Sequence, residues 1–318
     1  MRMPNLDGLI VVDKPAGLTS HDVILKIRKL LKIKRVGHTG TLDPVATGVL
    51  LLTVGRATRL FPYLSRLNKT YSGEIRLGLA TDTYDAEGKP LGEENHNFPD
   101  MEKLLETINS LTGVIRQNPP PFSAKKISGQ PAFLLARQGV KPELKPVTVE
   151  VYRFLVLDYQ PPVVSFLVEC SSGTYIRSLA HDLGQKLGCG AHLSSLRRIA
   201  VGLYTEEEAL PLSKIEEFAA SGKFEEFLIP VEKLLPEYPA IWLDPSGSKS
   251  FLHGARIPIR QVSRARLPAH RLSTPLVYRV FSEEDRLLGL ATFRAEQQVF
   301  QPQLVFPPPD NCPYRRKF

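Results

Sequence analysis

The apolar positions in the first part of the chain predict two strands with a helix between them. Leu9 to Val12 form a short apolar run that the turn-forming sequence DKPAG closes, which is typical of a buried strand. A helix capped by Thr19 or Ser20 is expected next, because apolar residues then recur at helical spacing and direct a lysine- and arginine-rich face to water. From Lys69 to Leu79 polar and apolar residues alternate, which predicts a half-buried strand.

Helices and strands continue to alternate in the middle of the chain. Glycines at 113, 139 and 188 end the apolar patterns that predict helices, and alternating valines with an apolar run predict an antiparallel strand pair. The expected elements are, in order, a polar loop over 82–96, a helix over 99–111, a short helix over 131–139, strands over 147–151 and 163–170, and a helix over 179–187.

The pattern of apolar and polar residues changes near residue 236. Helical spacing disappears beyond that point, and short apolar runs such as LVYRVF and LLGLATF are separated by charged turns, which predicts a small all-β module. We therefore expect one domain over residues 1–235, a second over 236–306 and a flexible tail over 307–318.

Composition is that of a folded protein without membrane segments. A length of 318 residues favours about two domains, and 42% hydrophobic with 23% charged residues is the ordinary globular range. Asp7 and Asp13 precede any signal-peptide core and no apolar run could span a bilayer, so a cytoplasmic location is expected. Cys170, Cys189 and Cys312 match no metal spacing and are interpreted as thiols.

Charge is unevenly distributed along the chain. The net charge is +8 over residues 1–70 and +6 over residues 256–318, which leaves −6 for the middle. Basic blocks of this kind are typical of proteins that bind polyanions such as nucleic acids. Solvated helix faces would give the same count, so charge alone leaves both interpretations open.

The glycine-rich stretch GHTGTLDPVATGVL, Gly37 to Leu50, contains one acidic residue, Asp43. Glycines allow a loop that presents a single carboxylate to a ligand. Asp43 precedes Pro44, and Asp followed by Pro is also a favoured helix start, so a helix cap is the alternative interpretation.

Five blocks of the sequence, read in order, resemble the bacterial tRNA pseudouridine-55 synthases, the TruB family. The blocks are DKPAGLTSHDV, GHTGTLDPVATGVL, Lys69-Thr70-Tyr71, PPPFSAKKISG and GTYIRSLAHDLG. The resemblance extends over residues 8–235. It implies an α+β fold with a mixed, mostly antiparallel sheet flanked by helices, followed by a C-terminal β-rich module that resembles the PUA-like RNA-binding modules. The implied reaction isomerises a T-loop uridine of tRNA to pseudouridine after the base is flipped out.

The resemblance also implies roles for individual residues. Asp43 matches the catalytic aspartate, Arg177 the arginine that pairs with it, and Tyr71 a tyrosine against the uracil ring. The substrate-binding positions it implies are His38, Tyr175, Leu196 and Lys69. From pattern alone these residues are ordinary: a core tyrosine or leucine, a loop histidine, a surface lysine and a surface arginine at a helix start. Phe122 stands where the family more often has tyrosine, which removes one hydroxyl.

Further expectations concern partners. Seven basic residues are clustered in the sequence near the Asp43 loop and are interpreted as contacts to the tRNA backbone: Lys26, Lys29, Lys32, Lys34, Arg35, Arg56 and Arg59. We expect no cofactor, metal, guide RNA or obligate protein partner, and a monomer. The alternatives are a non-catalytic tRNA-binding or folding protein, and a guide-RNA-dependent pseudouridine synthase of the archaeal or eukaryotic type.

Overall fold

The structure is a computed structural model, and it describes residues 6–122, 144–267 and 277–306 together with the backbone of residues 126–127 and 130–131. In this part of the chain two large sheets and a two-stranded hairpin are formed. Of the helix predicted over 131–139, Pro131 lies in a strand of the hairpin and residues 132–139 lie outside the described residues, as does the tail over 307–318.

The first sheet has eleven strands and is mostly antiparallel. The strands of this sheet and of the hairpin are β1 (Gly8–Lys14), β2 (Val36–His38), β3 (Thr47–Val54), β4 (Lys69–Leu77), β5 (Gly113–Gln117), β6 (Lys126–Ile127), β7 (Gln130–Pro131), β8 (Val147–Gln160), β9 (Val163–Cys170), β10 (Ala191–Val201), β11 (Tyr204–Thr205), β12 (Leu210–Pro211) and β13 (Ile229–Pro230). The main path runs β12-β1-β3-β10-β4-β9-β8-β5. β1 is parallel to β12 and β3 to β10, whereas β8 and β9 form the predicted antiparallel pair.

Strands β1 and β3 are apolar on both faces because both faces of the sheet are covered. Successive side chains of a strand point to opposite faces, so a continuous apolar run indicates burial on both sides. Ile10, Val12, Leu50 and Leu52 face the main core, and Leu9, Val11, Val49 and Leu51 face a second core.

Helices cover the main-core face. The α-helices are α1 (Ser20–Leu31), α2 (Phe61–Leu64), α3 (Met101–Asn109), α4 (Ile176–Leu187), α5 (Leu212–Ala220) and α6 (Pro245–Leu252). Single turns of 3-10 helix occur at Gly55–Leu60, Phe224–Glu226, Val231–Lys233, Ile259–Gln261 and Ala295–Gln297. Side chains of α1, α3, α4 and α5 are part of the main core. None of the helices in the described ranges has the length and apolar character that crossing a membrane requires.

The helix starts follow from local chemistry. Thr19 caps α1 in a capping box with Asp22, as its sequence predicts. Asp100 caps α3, so this helix starts two residues later than the predicted residue 99. α4 starts at Ile176, three residues before Leu179, where the predicted helix begins. The spacing of the leucines did not reveal this first turn, because Arg177 and Ser178 interrupt the apolar pattern.

The second sheet has six strands from the C-terminal part of the chain. They are β14 (Ala240–Leu243), β15 (Ile257–Pro258), β16 (Val262–Arg266), β17 (Val277–Ser282), β18 (Leu287–Arg294) and β19 (Val299–Val305), in the order β15-β19-β18-β17-β14-β16. The expectation of an all-β module is wrong in one respect, because α6 packs on this sheet. Asp244 caps α6 and Pro245 occupies its first position, a start signal too short to show helical periodicity.

The two sheets share a hydrophobic core. Phe281, Leu287, Leu290 and Phe306 pack with the outward-facing residues of β1 and β3. At the same junction Arg59 donates a hydrogen bond to the carbonyl oxygen of Val305. The back of the sheet that carries the Asp43 loop is therefore closed by the C-terminal module.

Candidate active site

The loop between β2 and β3 is fastened to the start of the chain. The hydroxyl of Ser20 accepts a hydrogen bond from the amide of Leu42 at 2.9 Å and donates one to the carbonyl oxygen of Leu42 at 3.1 Å. The carbonyl oxygen of Pro44 accepts bonds from the Gly17 amide at 2.9 Å and from the Lys14 ammonium at 3.1 Å. These contacts fix the backbone on both sides of Asp43.

Asp43 does not cap a helix. Residues 44 and 45 form a bend before β3 begins at Thr47, and the carbonyl oxygen of Asp43 accepts the amide of Ala46 at 3.1 Å. The helix-cap interpretation is therefore wrong for this loop. The side chain of Asp43 is 39% exposed and faces a cleft.

Arg177 lies against Asp43, as the resemblance implies. Its Nε is 3.0 Å from Asp43 Oδ2 and its Nη2 is 3.3 Å from Asp43 Oδ1, which is a two-point contact suited to a carboxylate. The side chain of Arg177 is only 9% exposed, so the interpretation as a surface arginine is wrong. It also donates to the carbonyl oxygens of Thr83 at 3.1 Å and Phe122 at 2.9 Å. The contact to Phe122 uses the main chain, so it does not depend on a hydroxyl at that ring.

Asp85 is a buried carboxylate that the sequence analysis missed. Its Oδ2 lies 3.3 Å from Arg177 Nη1, and its side chain is 8% exposed. Its Oδ1 accepts bonds from the Thr83 hydroxyl at 2.6 Å and from the Glu87 amide at 3.1 Å. Asp85 is one of several acidic residues in the stretch predicted to be a polar loop, and nothing in the local sequence indicates that it is buried. Only the fold brings it into contact with Arg177.

Asp43, Arg177 and Asp85 line a cleft of about 470 Å³ at the surface of β4, β9 and β10. This volume is within the range of roughly 300–1,000 Å³ usual for small-molecule sites. Leu196, a predicted pocket residue, also lines the cleft and is half-buried. Among the acidic residues that line the cleft, Asp43 and Asp85 are the two that contact Arg177.

Tyr71 and Lys69 lie side by side on β4 and are both buried. Burial raises the pKa of the Tyr71 phenol, and the neighbouring charge of Asp43 acts in the same direction. Lys69 donates to the carbonyl oxygens of Ser65 at 2.7 Å and Leu67 at 2.6 Å, and burial lowers its pKa to about 8. The Lys69 ammonium therefore binds main-chain carbonyl groups of the segment that follows α2, and it reaches neither the cleft nor the surface.

His38 and Tyr175 lie beside the cleft rather than in its lining. His38 ends β2 just before the Asp43 loop, and burial lowers its pKa, which favours the neutral imidazole. Tyr175 precedes α4, and the buried side-chain amide of Gln117 holds its main chain by bonds of 2.8 and 2.9 Å. Gln117 is a second positioning residue that local sequence patterns did not indicate.

The predicted basic residues fall into two groups. Lys26, Lys29, Lys32, Lys34 and Arg35 are exposed on and after α1. Arg56 pairs with Asp7 at 2.5 Å, and Arg59 reaches the C-terminal module as described above. Because these two side chains already have partners within the chain, the first group is the one that offers an open basic surface.

The site can support carboxylate chemistry. A carboxylate held at one side by a guanidinium and open to a cleft can act as a nucleophile or stabilise developing positive charge. In the described ranges no group of three or more His, Cys, Asp or Glu side chains is arranged to hold a metal ion.

Comparison with known proteins identifies the class to which this fold and site belong. The family model described as TruB family pseudouridylate synthase (N terminal domain) matches residues 28–176, and the tRNA pseudouridylate synthase B C-terminal domain model matches residues 177–236. The chain is thus a member of the pseudouridylate synthases.

Individual relatives narrow this class to one family. Proteins named tRNA pseudouridine synthase B from Solibacter usitatus and Aquifex aeolicus are each 43% identical to this chain, over 80% of it and over 86% and 88% of their own lengths. The chain belongs to the TruB family.

Solved structures share the fold over nearly the whole chain. A chain from an H/ACA RNP bound to a substrate RNA containing 2′-deoxyuridine superposes with a TM-score of 0.73 at 25% identity, covering 96% of this chain and 92% of that one. A chain from a Cbf5-Nop10-Gar1 complex gives the same TM-score at 27% identity, covering 96% and 87%. These matches extend over the C-terminal module as well as the first sheet.

Proposed function

We propose that this protein isomerises the uridine at position 55, in the T-loop of tRNA, to pseudouridine. The observation that supports this most directly is the contact between Asp43 and Arg177 at the edge of the cleft. The naming of relatives at 43% identity as tRNA pseudouridine synthase B supports tRNA as the substrate.

The reaction exchanges two bonds and one proton. The bond between N1 of uracil and C1′ of the sugar breaks, uracil turns in the cleft, and C5 bonds to C1′. C5 then loses its proton and N1 gains one, so atoms and electrons balance without a redox partner. Asp43 supplies the carboxylate that attacks the nucleoside or assists departure of the base, and Arg177 orients it.

Tyr71 is the proposed acceptor of the C5 proton. It lies on β4 next to Ser72 and Gly73, which line the cleft, and near enough to Asp43 for that charge to act on its phenol. Neutral phenol is a poor base, so the base form must be stabilised within the site when the proton is removed.

A stacked T-loop base reaches Asp43 only if it leaves the loop, at a cost of a few kcal/mol. His38 is the proposed residue that fills the space vacated by the base, because a neutral imidazole stacks without a charge penalty. Tyr175 and Leu196 are proposed to contact the flipped base from α4 and β10. We assign no substrate contact to Lys69, because its ammonium is engaged by main-chain carbonyls.

The tRNA backbone is proposed to lie along the exposed basic residues of α1 and the loop after it. Residues 1–235 would form the catalytic domain, and the module over 236–306 would add an RNA-binding surface of PUA-like type. This arrangement needs no guide RNA, no cofactor and no obligate protein partner, and it fits a monomer acting in the cytoplasm.

The test is to incubate the purified protein alone with an unmodified tRNA transcript and to map pseudouridine at nucleotide resolution. The expected result is one modification, at position 55. Binding without modification would favour a tRNA-folding protein. Modification that requires a guide RNA and protein partners would favour the guide-RNA-dependent alternative.

A further inference from the structure

Arg198 is a buried arginine beside the Asp43 loop that has no role in the proposed reaction. It is 2% exposed. Its Nε donates to the carbonyl oxygen of Val49 at 2.7 Å, and its terminal nitrogens donate to the carbonyl oxygens of Gly40 at 3.1 Å and Thr41 at 3.4 Å. One guanidinium therefore binds both the first part of the loop that carries Asp43 and the strand that follows this loop.

The strand register places Arg198 directly between the Asp43 loop and Tyr71. On β10 it is opposite Tyr71 of β4 on one side and opposite Gly48 of β3 on the other. Gly48 has φ +98°, and a Cβ there would lie 2.2 Å from the carbonyl oxygen of Arg198, so the close approach of the two strands requires glycine. As directly opposed residues of adjacent antiparallel strands, Arg198 and Tyr71 have neighbouring side chains on the same face of the sheet.

We propose that Arg198 is the positioning residue that joins the two halves of the reaction, because it holds the Asp43 loop in place and sets a positive charge beside the Tyr71 phenol. This inference rests on the proposed function, because it assigns the acceptor of the C5 proton its partner.

The charge of Arg198 gives it this effect. Arginine stays protonated in proteins, so its guanidinium sets a fixed positive charge beside Tyr71 on the neighbouring strand. When Tyr71 is ionised, that charge favours the phenolate. Among the described residues, the charged or titratable groups that act on the Tyr71 phenol are Arg198 from β10, Cys170 from β9 and Asp43 from the loop, and only Arg198 favours the ionised form.

Arg198 is a buried cation held by main-chain carbonyl groups. In the described part of the chain no carboxylate forms an ion pair with it. Burial is the main cause of the lowered pKa values of Lys14, His38 and Lys69, and the charge of Arg198 acts on them in the same direction. The positive charge of Arg198 is therefore not neutralised by an acidic partner, and Tyr71 lies directly opposite it on β4.

The test replaces Tyr71 by a fluorinated, more acidic tyrosine and follows its ionisation by fluorine NMR, in chains with Arg198 and with Arg198→Met. The expected result is a titration midpoint higher by at least about 1 pH unit in Arg198→Met. The matched control is Arg197→Met, because the neighbouring arginine pairs with Asp13 and Glu206 instead. It should leave the midpoint unchanged. An equal midpoint in the Arg198 and Arg198→Met chains would overturn the proposal.

The rate of pseudouridine formation provides a second test of the proposal. Single-turnover formation of pseudouridine should fall about 100-fold in Arg198→Met, and the acidic tyrosine at position 71 should restore about 10-fold in that background. Absence of any restoration would show that Arg198 does not act through the phenol.

Arg198→Lys covers the case in which Arg198→Met does not fold. Lysine keeps the positive charge but lacks the several hydrogen-bond donors of the guanidinium. The titration midpoint of Tyr71 should therefore stay close to that of the Arg198 chain, while hydrogen exchange of the amides in residues 39–46 becomes faster. Unchanged exchange would contradict the fastening of the loop. If the unaltered enzyme forms no pseudouridine, the proposed function fails, and the NMR titration still reports on the link between Arg198 and Tyr71.

Discussion

The carboxylate of Asp85 lies 3.3 Å from Nη1 of Arg177, on the guanidinium that also contacts Asp43. The two carboxylates differ in exposure, since the side chain of Asp85 is 8% exposed and that of Asp43 is 39% exposed. The buried carboxylate therefore anchors the arginine, and the exposed one is left to face the substrate.

Asp85→Asn should reduce the single-turnover rate by about 100-fold, because a guanidinium released from its anchor misplaces Asp43 by a fraction of an ångström or more. Rapid-quench measurement with saturating enzyme tests this, and thermal melting shows whether the variant is folded. Glu93→Gln is the control, since this acid is exposed in the same segment. A rate equal to that of the unaltered enzyme would show that Thr83 and Phe122 suffice to hold Arg177.

Asp43→Asn should abolish turnover and leave tRNA affinity within a few fold. The amide keeps the size of the side chain but cannot supply the nucleophile, whereas the basic surface that binds the backbone is untouched. Filter binding and pseudouridine release measure the two quantities on one preparation. Turnover at more than a trace would mean that another group carries the reaction.

Lys26→Gln with Lys29→Gln should weaken tRNA binding without changing the rate at saturation. For each lysine that no longer neutralises a phosphate, the slope of log affinity against log salt should become shallower by about one. Binding is measured at several salt concentrations. Lys103→Gln on α3 is the control for each single substitution, because it removes one charge from an exposed lysine elsewhere. Equal slopes for both variants would remove α1 from the RNA-binding surface.

The free energy of unfolding should rise between about pH 8 and pH 9, above which burial of the Cys170 thiol, whose pKa is raised to about 11, acts in the opposite direction. Burial lowers the pKa of both Lys14 and Lys69 from 10.5 to about 8. In this window the unfolded chain binds more protons than the folded one, so raising the pH favours the folded state, and the penalty of the two buried charges is full below pH 8. Urea unfolding at pH 7 to 10 measures the slope.

Lys69→Met is the check on this slope, because it removes one of the two groups. The variant should show a smaller rise in stability over the same pH range. An unchanged slope would show that the pKa of Lys69 is the same in the folded and the unfolded protein.

Leu290→Ala should lower the stability of the whole chain by about 2–5 kcal/mol, because Leu290 is fully buried in the core that the two sheets share. Calorimetry should show one transition, shifted as a unit. Leu288→Ala, in the core of the second sheet alone, is the comparison and should shift the same transition. Two separate transitions, with only one affected, would show that the sheets unfold independently.

For the same reason a chain ending at residue 235 is a poor test of the module. It would expose the apolar back of β1 and β3 to water, so loss of activity would report on folding rather than on RNA binding.

The sequence by itself determined the local helices and strands and the functional groups available for catalysis. Periodicity predicted β1, α1, β4 and the pair β8 and β9, because burial of one or both faces imposes spacing that is readable over a few residues. The blocks around Asp43, Tyr71 and Arg177 indicated the family, because motifs are local as well. The segment over 132–139 remains a prediction.

Only the tertiary structure decided which residues meet. Asp43 and Arg177 are 134 positions apart, and neither Asp85 nor Arg198 has a local pattern that distinguishes a buried charge from a solvated one. The pairing of Arg56 with Asp7, the engagement of Lys69 by carbonyls and the closure of the first sheet by the second likewise depend on the packing of distant strands. Charge, burial and partner are properties of the three-dimensional neighbourhood, which spacing along a chain does not encode.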